Sequence, residues 1–126
     1  MNTKNVIKIM LGLLLLVIGF HFCIIAKIIP YKIAWGGRLT TDIEMYVFET
    51  ISIIINLFLV LILSIKANFV KPILTKKIIN IVLWCFLVLF ILNTIGNIFA
   101  KTNFEKFFAV LTFIFALIIG NILRKK

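Results

Sequence analysis

Residues 9–29 read IMLGLLLLVIGFHFCIIAKII, an almost unbroken apolar run. Three further runs of the same kind follow it, and short polar or basic joints separate them. Because lipid offers backbone amides no partner, each run is expected to pair its own amides as a helix. The pattern predicts an all-α fold, an integral membrane four-helix bundle with helices at about 6–29, 45–65, 78–99 and 104–123.

Composition supports this class of protein. The chain has 126 residues, of which 63% are hydrophobic, and a soluble domain of this size could not bury so much apolar surface. Each predicted helix holds about 20 residues, enough to cross a hydrocarbon core of about 30 Å. We expect one domain over residues 1–126. The first run is too long for the apolar part of a signal peptide, so it is expected to stay as a helix.

The net charge of +10 is distributed around the apolar runs and forms no stripe of its own. Nucleic acid is therefore not expected as a partner, whereas membrane lipid is. The excess of Lys and Arg at the termini and at the second joint predicts both termini in the cytoplasm. The basic residues expected on the cytoplasmic side are Lys4, Lys8, Lys66, Lys71, Lys76, Lys77, Arg124, Lys125 and Lys126.

Polar residues inside the predicted helices are the clue to function, since each is costly in lipid unless it is paired or faces a cavity. Most of them fall in the half of the bundle away from the termini, and several share a helix face by their spacing. They predict an outward-facing polar pocket that the first loop would cover. The candidate ligand-binding residues are His21, Trp35, Arg38, Glu44, Glu49, Ser52, Asn56, Asn93 and Asn97.

Each part of this pocket has a simpler interpretation. Polar side chains commonly hold membrane helices together without binding anything. His21 could accept a proton near physiological pH, or could be a hydrogen-bonded structural residue. Arg38, next to Gly36 and Gly37, could clamp an anion or a lipid headgroup. Alternatively, Arg38 could fix its loop through an ion pair with an acid at the start of the second helix.

Catalytic and metal-binding patterns do not stand out. His21 is the one histidine, so a histidine-rich metal site is not expected. Cys23 and Cys85 are predicted at depths that differ by roughly 10 Å, too far apart for a disulfide. No nucleophile with an adjacent base appears, so an enzyme is the least supported function, and no cofactor is expected.

Four segments of the first half carry a resemblance. They are Gly19-Phe20-His21-Phe22, Ile29-Pro30-Tyr31, Trp35-Gly36-Gly37-Arg38-Leu39 and Glu44-Met45-Tyr46-Val47-Phe48-Glu49. This Pro-Tyr…Trp-Gly-Gly-Arg…Glu-Met…Phe-Glu pattern resembles a group of uncharacterised small bacterial membrane proteins with four helices. The resemblance implies a bacterial inner-membrane protein and no particular activity.

Two functions therefore remain open. The first is the binding of a small ligand, a lipid headgroup or an ion from the outer face. The second is a non-catalytic subunit that packs in a larger membrane complex or in a homo-oligomer. A polar cavity at His21 and Glu49 would favour the first, whereas an apolar groove lined by phenylalanine would favour the second.

Overall fold

The computed structural model describes residues 2–30, 40–100 and 103–124. It consists of four helices, α1 (Thr3–Ile25), α2 (Asp42–Lys66), α3 (Lys76–Ile98) and α4 (Asn103–Arg124), and the described residues contain no strand. Each helix is long and apolar enough to cross a membrane. The predicted all-α membrane bundle is confirmed.

The C-terminal end of α1 differs from the prediction. The helix ends at Ile25 and not at residue 29, because Lys27 adopts a left-handed backbone with φ 63°. The N–H of Ile28 then donates to the carbonyl of Cys23 at 2.9 Å, and that of Lys27 to Ile24 at 3.0 Å. These two bonds form a Schellman motif. The helix has therefore already ended before Pro30.

Threonine side chains begin two of the helices. Thr41 caps α2, because the N–H of Glu44 donates to the Thr41 hydroxyl at 3.2 Å. Thr75 caps α3 in the same way, through the N–H of Ile78 at 3.3 Å. Such caps satisfy amides that a helix leaves unpaired in its first turn.

The helices pack as two pairs. α1 packs mainly on α2 and α3 mainly on α4, while the contacts of α2 with α3 and of α1 with α4 are sparser. The central core is apolar and includes aromatic rings in contact, with the tilted rings of Phe90 and Phe115 5.2 Å apart between their centroids. Many large apolar side chains point outward, among them Leu16, Trp84 and Leu117. Such a surface suits lipid, and in water it would promote aggregation.

The two ends of the bundle differ in charge, and only one of them contains acids. We call the end where α1 and α3 finish the acidic end, because all four acids of the chain are in the first third of α2 or the first turn of α4. Acids near a helix N-terminus are favourable. The opposite end, which we call the basic end, holds Lys4, Lys8, Lys66, Lys76, Lys77 and Arg124.

Candidate functional site

A histidine and a glutamate meet between α1 and α2. His21 lies on the buried side of α1, in register with Ile18 and Ile24, and Glu49 follows Met45 by one turn on the buried side of α2. Nδ1 of His21 and Oε2 of Glu49 form a hydrogen bond. Glu49 is about 10 Å along α2 from Asp42, by its helical rise. The pair therefore lies inside the membrane-spanning part, nearer the acidic end.

The two partners differ in exposure. The side chain of Glu49 is 0% exposed and that of His21 is 15% exposed. Within the described chain, every buried side-chain nitrogen or oxygen has a hydrogen-bond partner, and the one bond of the His21 ring is made by Nδ1. Nε2 is thus the accessible nitrogen of the ring. A carboxylate on one ring nitrogen sets the tautomer and leaves the other nitrogen as the acceptor.

The surroundings of the pair are apolar. Ile24 and Met45 are fully buried beside it, with Phe20, Ile25 and Ile29 packed against them. The ring of Phe20 meets the His21 ring edge to face, with 5.7 Å between centroids. In such surroundings a charge is poorly solvated, so each partner depends strongly on the other.

The predicted stripe on α2 is partly interior. Glu49 is buried, as expected, whereas Ser52 and Asn56 are half-buried at the edge of the stripe. The Asn56 amide donates to the carbonyl of Ser52 at 2.7 Å, within its own helix. The Asn56 side chain is therefore bonded within its own helix and not to His21. Glu44 belongs to the N-terminal cap of α2. Its carboxylate accepts a hydrogen bond from the hydroxyl of Thr40 at 2.8 Å.

On α3, Asn93 departs from the prediction of an inward-facing polar residue. Asn93 is exposed and Asn97 is half-buried, because the buried side of α3 passes through Phe86, Phe90 and Thr94. One residue along a helix turns the side chain by about 100°. Trp35 and Arg38 lie outside the described residues, as does the loop that was expected to cover the pocket.

Sequence reasoning left two buried polar features out of the site. Thr94 and Thr112 join α3 to α4 through their hydroxyl oxygens, 2.8 Å apart. Glu105 is buried in the first turn of α4, 5% exposed, at the acidic end. Its spacing to Ala109, Thr112 and Ala116 places it on the buried face of α4, and this regular spacing is the signal that could have identified it.

Other polar contacts connect the helices near their ends. Lys27 pairs with Asp42 at 2.7 Å, but both side chains are half exposed, so this ion pair contributes about 0–1 kcal/mol at most. At the basic end, the ammonium of Lys66 donates to the amide oxygen of Asn80 at 2.8 Å and joins α2 to α3.

The described residues contain no group of three His, Cys, Asp or Glu side chains that could hold a metal ion. Cys23 and Cys85 are both free thiols, which confirms that they do not pair. Comparisons of the chain with protein-family models, with curated proteins and with solved structures gave no match. Function must therefore be argued from the His21–Glu49 pair and from the surface of the bundle.

Proposed function

We propose that the protein binds a proton, as the simplest cation, at the His21–Glu49 pair. One observation carries this proposal: a fully buried carboxylate holds an imidazole inside the membrane-spanning part of the bundle. Ionisable side chains are expensive in such a place and are usually kept there for a function. Nε2 of His21 takes up the proton, and the Glu49 carboxylate stabilises the imidazolium that results.

The other acids near this end are paired, hydrogen-bonded or buried. Asp42 is neutralised by Lys27, and Glu44 is held by Thr40 and Thr41. Glu105 adds a further acid from α4. The pair lies about 10 Å from the start of α2, so a proton crosses only the outer part of the bundle to reach it.

The single histidine makes the proposal directly testable. In the purified protein, the imidazole NMR signals of His21 are followed as the pH is changed, and a change in these signals reports proton binding. Glu49→Gln keeps the size of the side chain and removes its charge, so it is expected to alter the pH dependence of these signals. Asp42→Asn, on the exposed Lys27 pair, is the matched control and should leave this pH dependence unchanged.

A His21 signal that does not change with pH would overturn proton binding. Equal changes of the pH dependence in Glu49→Gln and Asp42→Asn would show that the general charge of the acidic end matters and that the direct bond does not. In either case the pair would be a structural contact between α1 and α2.

The location of the protein forms part of the same proposal. The basic end faces the cytoplasm of a bacterium, and the acidic end faces outward, as the positive-inside bias favours. A reporter that is active only in the periplasm, fused after Lys126, should show no activity. Strong activity from this fusion would reverse the orientation and would place proton uptake on the cytoplasmic side.

A second candidate function is a non-catalytic subunit in a membrane complex. One observation favours it: an apolar groove of about 270 Å³ lies between α1 and α4, and its walls include Phe20, Phe107 and Phe108. A helix of a second copy could fill this groove in the bilayer. Light scattering of the protein in mild detergent tests the idea, because a monomer at all concentrations would count against it.

A further inference from the structure

A second groove follows the surface between α3 and α4. Its volume is about 430 Å³. Leu87 and Ile91 form the α3 side of the groove, and the α4 side descends from Phe113 past Gly120 to Arg124. It is distinct from the His21–Glu49 pair, which lies between α1 and α2.

The length of the groove matches one leaflet of a bilayer. From Phe113 to Arg124 the helical rise gives about 16 Å. Half of a hydrocarbon core of about 30 Å is about 15 Å. The groove thus begins near the middle of the membrane and opens at the basic end, in the direction in which an acyl chain of that leaflet extends.

A glycine keeps the groove open. A Cβ atom placed on Gly120 would meet no other atom within 4 Å, so the space beside it is empty. A larger side chain such as leucine would extend into this space. Glycine in a helix interior is unfavourable by about 1 kcal/mol relative to alanine, and here it leaves room for an occupant.

The mouth of the groove is polar and cationic. Asn121 and Arg124 are both exposed there, at the C-terminal end of α4. The planar guanidinium of arginine can bond two phosphate oxygens at once. The basic end contains further lysines and, among the described residues, no acid. This combination of an apolar floor and a cationic mouth is complementary to an anionic lipid.

We infer that the α3–α4 groove binds an anionic phospholipid from the leaflet at the basic end. One acyl chain lies along Leu87, Phe113 and Gly120, and the phosphate contacts Arg124 and Asn121. Anionic lipid on basic residues near the membrane surface is a general attraction. The groove makes it specific, because it fixes the acyl chain and the headgroup together.

The test is a lipid-binding measurement on the whole chain. The purified protein is incubated in detergent with phosphatidylglycerol or with phosphatidylcholine of the same acyl chains, and bound lipid is measured by native mass spectrometry. The wild type should prefer phosphatidylglycerol. Arg124→Gln removes a charged hydrogen bond and should weaken phosphatidylglycerol binding about tenfold. Gly120→Leu fills the groove and should weaken the binding of both lipids.

Two controls separate the groove from general effects. Gly12→Leu adds the same side chain to α1, where Gly12 is also exposed and open within 4 Å. Lys4→Gln removes one charge from the same end of the bundle. Both should bind lipid as the wild type does. Since Arg124→Gln leaves the apolar walls intact, it tests the site even if Gly120→Leu folds poorly.

Three outcomes would overturn the inference. The first is unchanged phosphatidylglycerol binding in both Gly120→Leu and Arg124→Gln. The second is an equal loss in Lys4→Gln and Arg124→Gln, which would indicate attraction to the whole basic end. The third is a dimer that Gly120→Leu converts to a monomer without any change in lipid binding, which would make a second copy the occupant of the groove.

Discussion

Glu49→Ala is expected to lower the free energy of unfolding by about 3 kcal/mol, the low end of the cost of breaking a buried charged pair. The substitution leaves Nδ1 of His21 without its partner between apolar side chains. The low end of this cost is expected because the His21 side chain is 15% exposed in the folded protein and is therefore partly solvated. Equilibrium unfolding in mixed micelles of mild detergent and dodecyl sulfate measures the change.

The double variant His21→Leu with Glu49→Leu provides the decisive comparison. The double variant removes the His21 ring together with the carboxylate that bonds it, so it should recover part of the stability that Glu49→Ala loses. Asp42→Ala, at the exposed pair with Lys27, should change stability by about 1 kcal/mol or less. A double variant as unstable as Glu49→Ala would show that the shape of the site matters more than its hydrogen bond.

Phe115→Ala is expected to destabilise the bundle by roughly 2–3 kcal/mol, somewhat less than in a soluble core. The ring is 2% exposed and packs on Phe90 with 5.2 Å between centroids. In a membrane, the unfolded helix still has its ring in an apolar solvent, so the loss comes from packing contacts and from the cavity. The same unfolding measurement in mixed micelles applies.

Phe107→Ala is the matched control for the core substitution. Phe107 is on the same helix, but its side chain faces outward and is 67% exposed. The Phe107 ring contacts lipid both in the folded bundle and in the separated helix, so its removal should hardly change the free energy of unfolding. If both phenylalanine variants lost the same stability, the interior of the bundle would be packed no better than its surface.

The four helices could be predicted because hydropathy and length alone determine them in lipid. Helix ends were less predictable. The Schellman motif at the end of α1 depends on Lys27 in a left-handed conformation that lysine rarely adopts. The cap at Thr41 was predictable, since its hydroxyl and the following glutamate form a local pattern.

The site was predictable only in part. Polar spacing on α2 pointed to Glu49, and the depth of His21 placed it at a similar level. Which face of α3 is buried could not be derived, because that helix is apolar on all sides and its sequence does not fix its rotation. Asn93 was therefore placed inside, whereas its neighbour Thr94 is the buried residue.

The pairing of helices has a consequence for how the chain enters a bilayer. Each pair joins neighbouring segments and contains its own polar contact: His21 with Glu49 in the first pair, Thr94 with Thr112 in the second. A helical hairpin can thus satisfy these groups as soon as its second segment emerges from the insertion machinery. Assembly can proceed in two steps, and the later docking of the hairpins joins mainly apolar surfaces.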